Sequence, residues 1–218
     1  ALGIDESANA AMQDEFDRNG AAALVATVDV SVPDQVAHAI AAGVGRFGGL
    51  DVIVNSAAVH PYGTATSTDF ETWNRAMSVN VGSIYLTAHY GIPEMIRRGG
   101  GAIVNVASVQ GHACQQNVAA YATTKGAIHT LTRSLALDYA RQGIRVNSVS
   151  PGSIRTPILE RAARGDDPNA DIEAAFKRFG EPEEVAELIA FLCSSKASFC
   201  TGADYRIDGG LLAGIGVG

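Results

Sequence analysis

The sequence is poor in cysteine, in aromatics and in concentrated charge. Three cysteines, Cys114, Cys193 and Cys200, are too few for a disulfide framework, and no C-x-x-C spacing offers a zinc site. Reduced thiols and the lack of a signal-peptide pattern point to a cytoplasmic protein. No stretch approaches the roughly 18 apolar residues of a membrane-spanning helix. Basic residues number 16 against 23 acidic ones, a formal net charge of −7. With no basic run, nucleic acid and anionic membrane surfaces are poor partners. Repeats, low-complexity linkers and shifts of composition are also missing, so residues 1–218 read as a single domain.

What is present is alternation. Ala21–Val30, Leu50–Ala57, Ala102–Ala107, Ile144–Val149 and Asp204–Ile207 read as strands. Between them, Pro33–Phe47, Asp69–Arg98, Ala119–Arg141, Asp171–Arg178 and Glu183–Cys193 read as helices, the first with Ser31 as its N-cap. Strands separated by helices predict a parallel, doubly wound α/β sheet with helices on both faces. Gly43, Gly45 and Gly48 spell G-x-G-x-x-G, but they close a helix and lead into a strand. A phosphate-binding turn needs the opposite order, so these glycines are a helix stop. Gly99–Thr124 contains no Asp, Glu, Lys or Arg, and Lys125 ends it. Such a segment suits a buried strand that opens into a pocket.

Tyr121 and Lys125 are four residues apart on a predicted helix and therefore share a face. An ammonium near a phenol favours the phenolate and lowers its pKa from about 10 by about 1–3 units. A tyrosine so tuned exchanges protons with an alcohol or carbonyl oxygen near neutral pH. Ser108 closes the strand thirteen residues earlier, at the end where parallel sheets bind ligands. Asn80 falls inside a predicted helix, where asparagine is disfavoured, which suggests a functional role or a kink.

Asn55-Ser56-Ala57-Ala58 after a strand, Asn80-Val81-Gly82, Ser108, Tyr121-x-x-x-Lys125 and Pro151-Gly152 together resemble the short-chain dehydrogenase/reductase family. Asp29-Val30, Val146-Asn147 and Asp208-Gly209-Gly210 extend the likeness from about Ala21 to Gly210. The resemblance implies a Rossmann-type sheet, a nicotinamide dinucleotide and hydride transfer to or from a substrate carbon. By that likeness Tyr121 is the general acid/base and Lys125 tunes it and holds the nicotinamide ribose. Ser108 orients the reacting oxygen, and Asn80 supports a water and Lys125 in a proton relay. It also places Asp29 and Val30 at the adenine, Asn55, Ser56, Ala57 and Ala58 near the adenosine ribose, and Pro151, Gly152, Ile154 and Thr156 along the nicotinamide.

Two departures stand out. Ala58 replaces the glycine usual in that motif, adding a methyl that is tolerated where φ is negative. The family's opening strand, glycine-rich turn and helix, about 30 residues, have no counterpart in this chain. Residues 1–16 resemble instead the exit from the second strand and the helix after it. The expectation is an N-terminally incomplete form of a longer enzyme, with the central strand's neighbours left unpaired at Leu24–Val28 and Val52–Val54. The alternative is a cofactor-free relative with a scaffold or regulatory role.

Gly3, Ile4, Asp5 and Glu6 follow the expected second strand, and the first basic residue is Arg18. An acidic group there favours NAD over NADP. Between Ser108 and Tyr121, Gln110, His112 and Gln116 are the candidate substrate contacts, suiting a sugar, polyol or hydroxy acid. Cys114 is a further pocket candidate, and His60, after the Asn55 motif, either borders the site or, the preferred reading, lies on the surface. Thr156–Ala170 reads as a mobile lid. The family likeness implies a homodimer or homotetramer. A hydrolase on Ser108 and His112 lacks the G-x-S-x-G turn. A metal centre on His112 and Cys114 lacks further ligands at sensible spacing, so no metal is expected.

Overall fold

The computed structural model describes residues 1–156 and 178–214. In chain order it contains β1 (Leu2–Gly3), α1 (Glu6–Arg18), β2 (Ala26–Thr27), α2 (Pro33–Phe47), β3 (Val52–Asn55) and α3 (Phe70–Met77). A π-helical turn (Ser78–Gly82) joins α3 to α4 (Ser83–Arg98). Then come β4 (Gly101–Val106), a short 3-10 turn (Val109–Gly111), α5 (Ala119–Tyr139), β5 (Ile144–Pro151), α6 (Pro182–Cys193) and β6 (Asp204–Ile207).

Among the described residues all strand pairings are parallel, in two groups: β3-β4-β5-β6, and the pair β1-β2. The larger sheet is sandwiched by helices, and its side chains alternate between the two faces. Ile103 and Val146 point toward α4 and α5, packing with Ala88, Ile92, Met95 and Ala136. Val104 and Val149 point the other way, onto Val185 and Leu192 of α6. That two-sided burial covers β4 and β5 almost throughout, the polar Asn105, Asn147, Ser148 and Ser150 included.

The sequence reading is correct in outline and too generous at several ends. Residues 1–16 do form a strand exit and a helix. Ala21–Val30 contracts to the two residues of β2, which pair with Leu2 and Gly3. Leu24–Val28 is therefore not left unpaired as expected. Val52–Asn55 is an edge, with Val52 and Val54 exposed. The N-cap of α2 is Val32, not Ser31, because the Ser31 hydroxyl donates to Asp29 Oδ1 at 2.6 Å. Gly48 at φ 82 is the C-cap of α2, the helix stop expected of it. The expected helix Asp69–Arg98 is interrupted at Asn80. The helix expected over Asp171–Arg178 and the lid at Thr156–Ala170 fall almost wholly outside the described residues.

Candidate active site

Parallel pairing brings the carboxyl ends of β3, β4 and β5 to one rim. The described residues enclose a cavity of about 610 Å³ there. Its polar wall is Ser108, Tyr121 and Lys125, and Val106, Pro151, Ile154, Val185 and Ile189 supply apolar surface.

Ser108 lies just past β4, where its Oγ accepts from Gln110 N at 3.1 Å and caps the 3-10 turn. Its side chain also hydrogen-bonds Tyr121. Tyr121 and Lys125 project from α5 on one face, with Lys125 Nζ 5.3 Å from the Tyr121 ring centroid. That Nζ donates to the Val106 carbonyl at 2.9 Å. Burial lowers Lys125 from 10.5 to about 8. Burial also raises Tyr121, and the Ser108 hydrogen bond only partly counters it. The downward pull of Lys125 expected from spacing alone is thus not the dominant influence. Proximity was legible in the i, i+4 spacing, whereas desolvation depends on the tertiary packing.

Asn80 is buried at the centre of the π-helical turn. Its Nδ2 donates to Val59 O and Thr124 Oγ1, both at 2.9 Å, and its Oδ1 accepts from Val59 N at 2.8 Å. It therefore ties the loop after β3 to α5 and does not line the cavity. That loop is also tied to the approach of α5 by Gly63 N donating to Asn117 O at 2.7 Å. The two anchors set His60 against Tyr121, ring centroids 4.0 Å apart, with Tyr62 beyond it at 4.6 Å. His60 thus borders the site, the less favoured of its two sequence readings, rather than lying on the surface. Nothing in its local sequence separates the two placements.

The remaining candidates divide. Ser56, Ala58, Pro151, Gly152, Ile154 and Thr156 line the cavity. Asn55 and Ala57 do not, and the Asn55 side chain is spent inside the sheet. Its Nδ2 donates to Asn105 Oδ1 and its Oδ1 accepts from Thr87 Oγ1, both at 2.8 Å. Asp29 and Val30 lie away from the cavity, with Asp29 paired to Arg75 at 3.1 Å. Ser31 and Arg75 hold the Asp29 carboxyl below its usual range. Gln110 lines the cavity together with Gln115, the two side chains bonded to each other. Cys114 also lines it. His112 and Gln116 do not, and His112 instead meets Asp204 Oδ2 at 2.7 Å. Residues that the sequence reading missed are Tyr62 and the α6 wall of Val185, Ala186 and Ile189. Helical apolar spacing predicts that α6 buries a face, but not that the face borders a ligand site.

A family model described as enoyl-(acyl carrier protein) reductase matches residues 2–212. The chain belongs to the short-chain dehydrogenase/reductase family. Among curated members, inactive 2-(S)-hydroxypropyl-CoM dehydrogenase 2 of Xanthobacter autotrophicus is 40% identical, covering 89% of this chain and 87% of that protein. Cyclohexanol dehydrogenase of an Acinetobacter species is 37% identical over 90% of this chain and 77% of its own. A solved member, L-sorbose reductase from Gluconobacter frateurii complexed with NADPH and L-sorbose, superposes with a TM-score of 0.91 at 30% identity. That superposition covers 98% of this chain and 86% of the reductase. Among the described residues of this short-chain dehydrogenase/reductase, no helix is long and apolar enough to cross a membrane.

Proposed function

We propose that this protein transfers hydride between a nicotinamide dinucleotide and a small polar secondary alcohol or its ketone. The observation that carries the proposal is the Ser108–Tyr121–Lys125 set on one wall of the cavity, with Ser108 and Lys125 buried and Tyr121 half-buried. A fold alone would not require those three groups to converge.

The residues present fit the nicotinamide end of such a cofactor. Val106, Pro151 and Ile154 offer apolar surface to a flat ring, and Lys125 spends one of its three donors on Val106 O while lining the cavity. The diphosphate finds no equivalent cradle among the described residues. Gly43 and Gly45 lie within α2 and Gly48 ends it, so no glycine turn leads a strand into a helix there. When bound, the nicotinamide supplies or accepts the hydride. Ser108 orients the substrate oxygen by hydrogen bonding. Tyr121 takes the alcohol proton in oxidation and returns it in reduction. Lys125, charged below about pH 8, stabilises the phenolate that oxidation requires. Asn80 acts as a positioning residue by holding Val59 and Thr124. Because burial raises Tyr121, oxidation speeds up with rising pH and ketone reduction slows.

NAD is the preferred cofactor, supported by Asp5 and Glu6 after β1 and by the distance in sequence to Arg18. The Gln110–Gln115 rim suits the hydroxyls of a small sugar, polyol or hydroxy acid, and the apolar α6 wall suits the carbon skeleton of such a compact ring or short chain. Cyclohexanol dehydrogenase and L-sorbose reductase, by their names, act on a cyclic secondary alcohol and on a ketose sugar. Exposed Tyr85 and Ile96 on α4 and Leu137 on α5 support assembly into a homodimer or homotetramer. Calorimetric titration with NADH and NADPH tests the reading, with saturable binding expected and NADH the tighter ligand. Absence of binding to either would favour the scaffold alternative.

A further inference from the structure

Behind the cavity, one turn past Lys125, lies a second cluster that the proposed chemistry leaves unused. His129 of α5 is buried, His112 follows the 3-10 turn, and Asp204 opens β6. Their candidate ligand atoms all lie within 4.8 Å of one another. His112 Nε2 is 2.7 Å from Asp204 Oδ2, and His129 Nε2 is 3.4 Å from Asp204 Oδ1. The two imidazole rings lie side by side, centroids 4.3 Å apart and tilted by 31°. We propose that His112, His129 and Asp204 form a binding site for a divalent transition-metal ion of the zinc class.

The geometry suits that ion. A tetrahedral centre with bonds near 2.0–2.1 Å separates neighbouring ligand atoms by about 3.3 Å. The two contacts to Asp204 straddle this value. The three ligand atoms lie within 4.8 Å of one another, and His112, whose side chain is 38% exposed at the edge of a loop, has room to rotate toward the other two. The carboxylate is already held in place, because Oδ1 accepts from Ser148 Oγ at 2.5 Å and Ser150 Oγ at 2.9 Å. Such outer hydrogen bonds fix a ligand's orientation. Ser150 Oγ also lies 3.0 Å from His129 Nε2, leaving it or a water as the fourth donor. Two imidazoles with a single carboxylate favour zinc, cobalt, nickel or copper over magnesium or calcium.

The consequence is a clasp rather than a reaction centre. The ion joins the loop that follows Ser108 to α5 and to β6. A Cβ at Gly111 would come within 2.6 Å of His129 Cε1 and 2.9 Å of the Lys125 carbonyl, so the loop already sits directly on the helix at this point. Binding therefore orders the wall carrying Gln110 and Ser108 without touching the transferred hydride or proton. The inference stands apart from the hydride-transfer reading.

Cobalt(II) is the probe. Titrating metal-stripped protein is expected to produce the visible absorption of a four-coordinate cobalt site, saturating at one ion per chain and erased by added zinc. His112→Ala, a change at an exposed loop position, is expected to weaken binding by about ten-fold or more. His38→Ala, on the exposed face of α2, leaves it unchanged. A zinc-dependent rise in thermal midpoint is expected in the wild type and the His38 variant only. Absence of a saturable cobalt signal, or equal affinity in the wild type and His112→Ala, would overturn the proposal.

Discussion

The four-stranded sheet and the β1-β2 pair follow the same strand-helix alternation and differ sharply in what holds them. In β4 and β5, Ala102, Ile103, Val104, Val146 and Val149 are buried, and helices cover both faces. In the N-terminal unit each strand has two residues, and the buried residue of α1 is the polar Asn9. Its Nδ2 donates to Gly3 O at 3.0 Å and to Thr27 Oγ1 at 3.1 Å, clipping the helix to both strands. The difference teaches that every proposed catalytic group rests on the sheet whose core is apolar and two-sided. Hydrophobic burial scales with area and holds without precise geometry, whereas a polar clip contributes only about 1 kcal/mol per bond.

Truncations should separate the two regions. Ile103→Ala is expected to cost about 2–5 kcal/mol in denaturant unfolding, as a large-to-small change in a closed core. Met12→Ala, at an exposed position of α1, should stay within about 0.5 kcal/mol. Equal costs at the two sites would break the comparison.

The next effect comes from Lys125, a charge buried within the well-packed part. Its folded pKa of about 8 lies below the ordinary 10.5. Between those values the unfolded chain holds the proton more firmly, so stability rises with pH across that window. Below pH 8 both states are protonated and the full penalty applies, about 3 kcal/mol at about 1.4 kcal/mol per unit. Lys125→Met should therefore be the more stable protein at pH 7 and lose that advantage as pH climbs toward 10.5. A stability difference that does not change with pH would contradict the burial of a charged lysine.

The smallest effect sharpens the comparison at its weak side. Asn9→Ala removes the clip and is expected to cost about 1 kcal/mol. Amide exchange should accelerate in Leu2–Gly3 and Ala26–Thr27 while β4 and β5 remain protected. Faster exchange in β4 would mean that the two units are one cooperative block.

The contrast also shows what a sequence makes legible. Buried parallel strands and the Tyr121/Lys125 face depend on short-range pattern, and both were readable. So was the oddity of Asn80, which the structure resolves as a π-helical turn with every side-chain donor and acceptor used. Tertiary placement was not readable. His60 meets Tyr121, and His112 turns from the expected substrate contact to Asp204, ninety-two residues away. Asn55, expected beside the cofactor, closes a hydrogen-bond chain with Thr87 and Asn105 inside the sheet. In each case the partner is chosen by helix and strand packing, and no local motif encodes it. Ser31 failed as a cap for a similar reason, since Asp29 and Arg75 compete for its hydroxyl.

The central claim is that Tyr121 moves the proton in nicotinamide-linked hydride transfer. The most direct measurement follows reduced-nicotinamide absorbance with cyclic alcohols, polyols and hydroxy acids, comparing the wild type with Tyr121→Phe at matched folding by circular dichroism. Loss of about 10²–10⁴ in kcat/KM with the fold retained is the predicted result. Turnover undiminished by removal of the phenolic hydroxyl would contradict it.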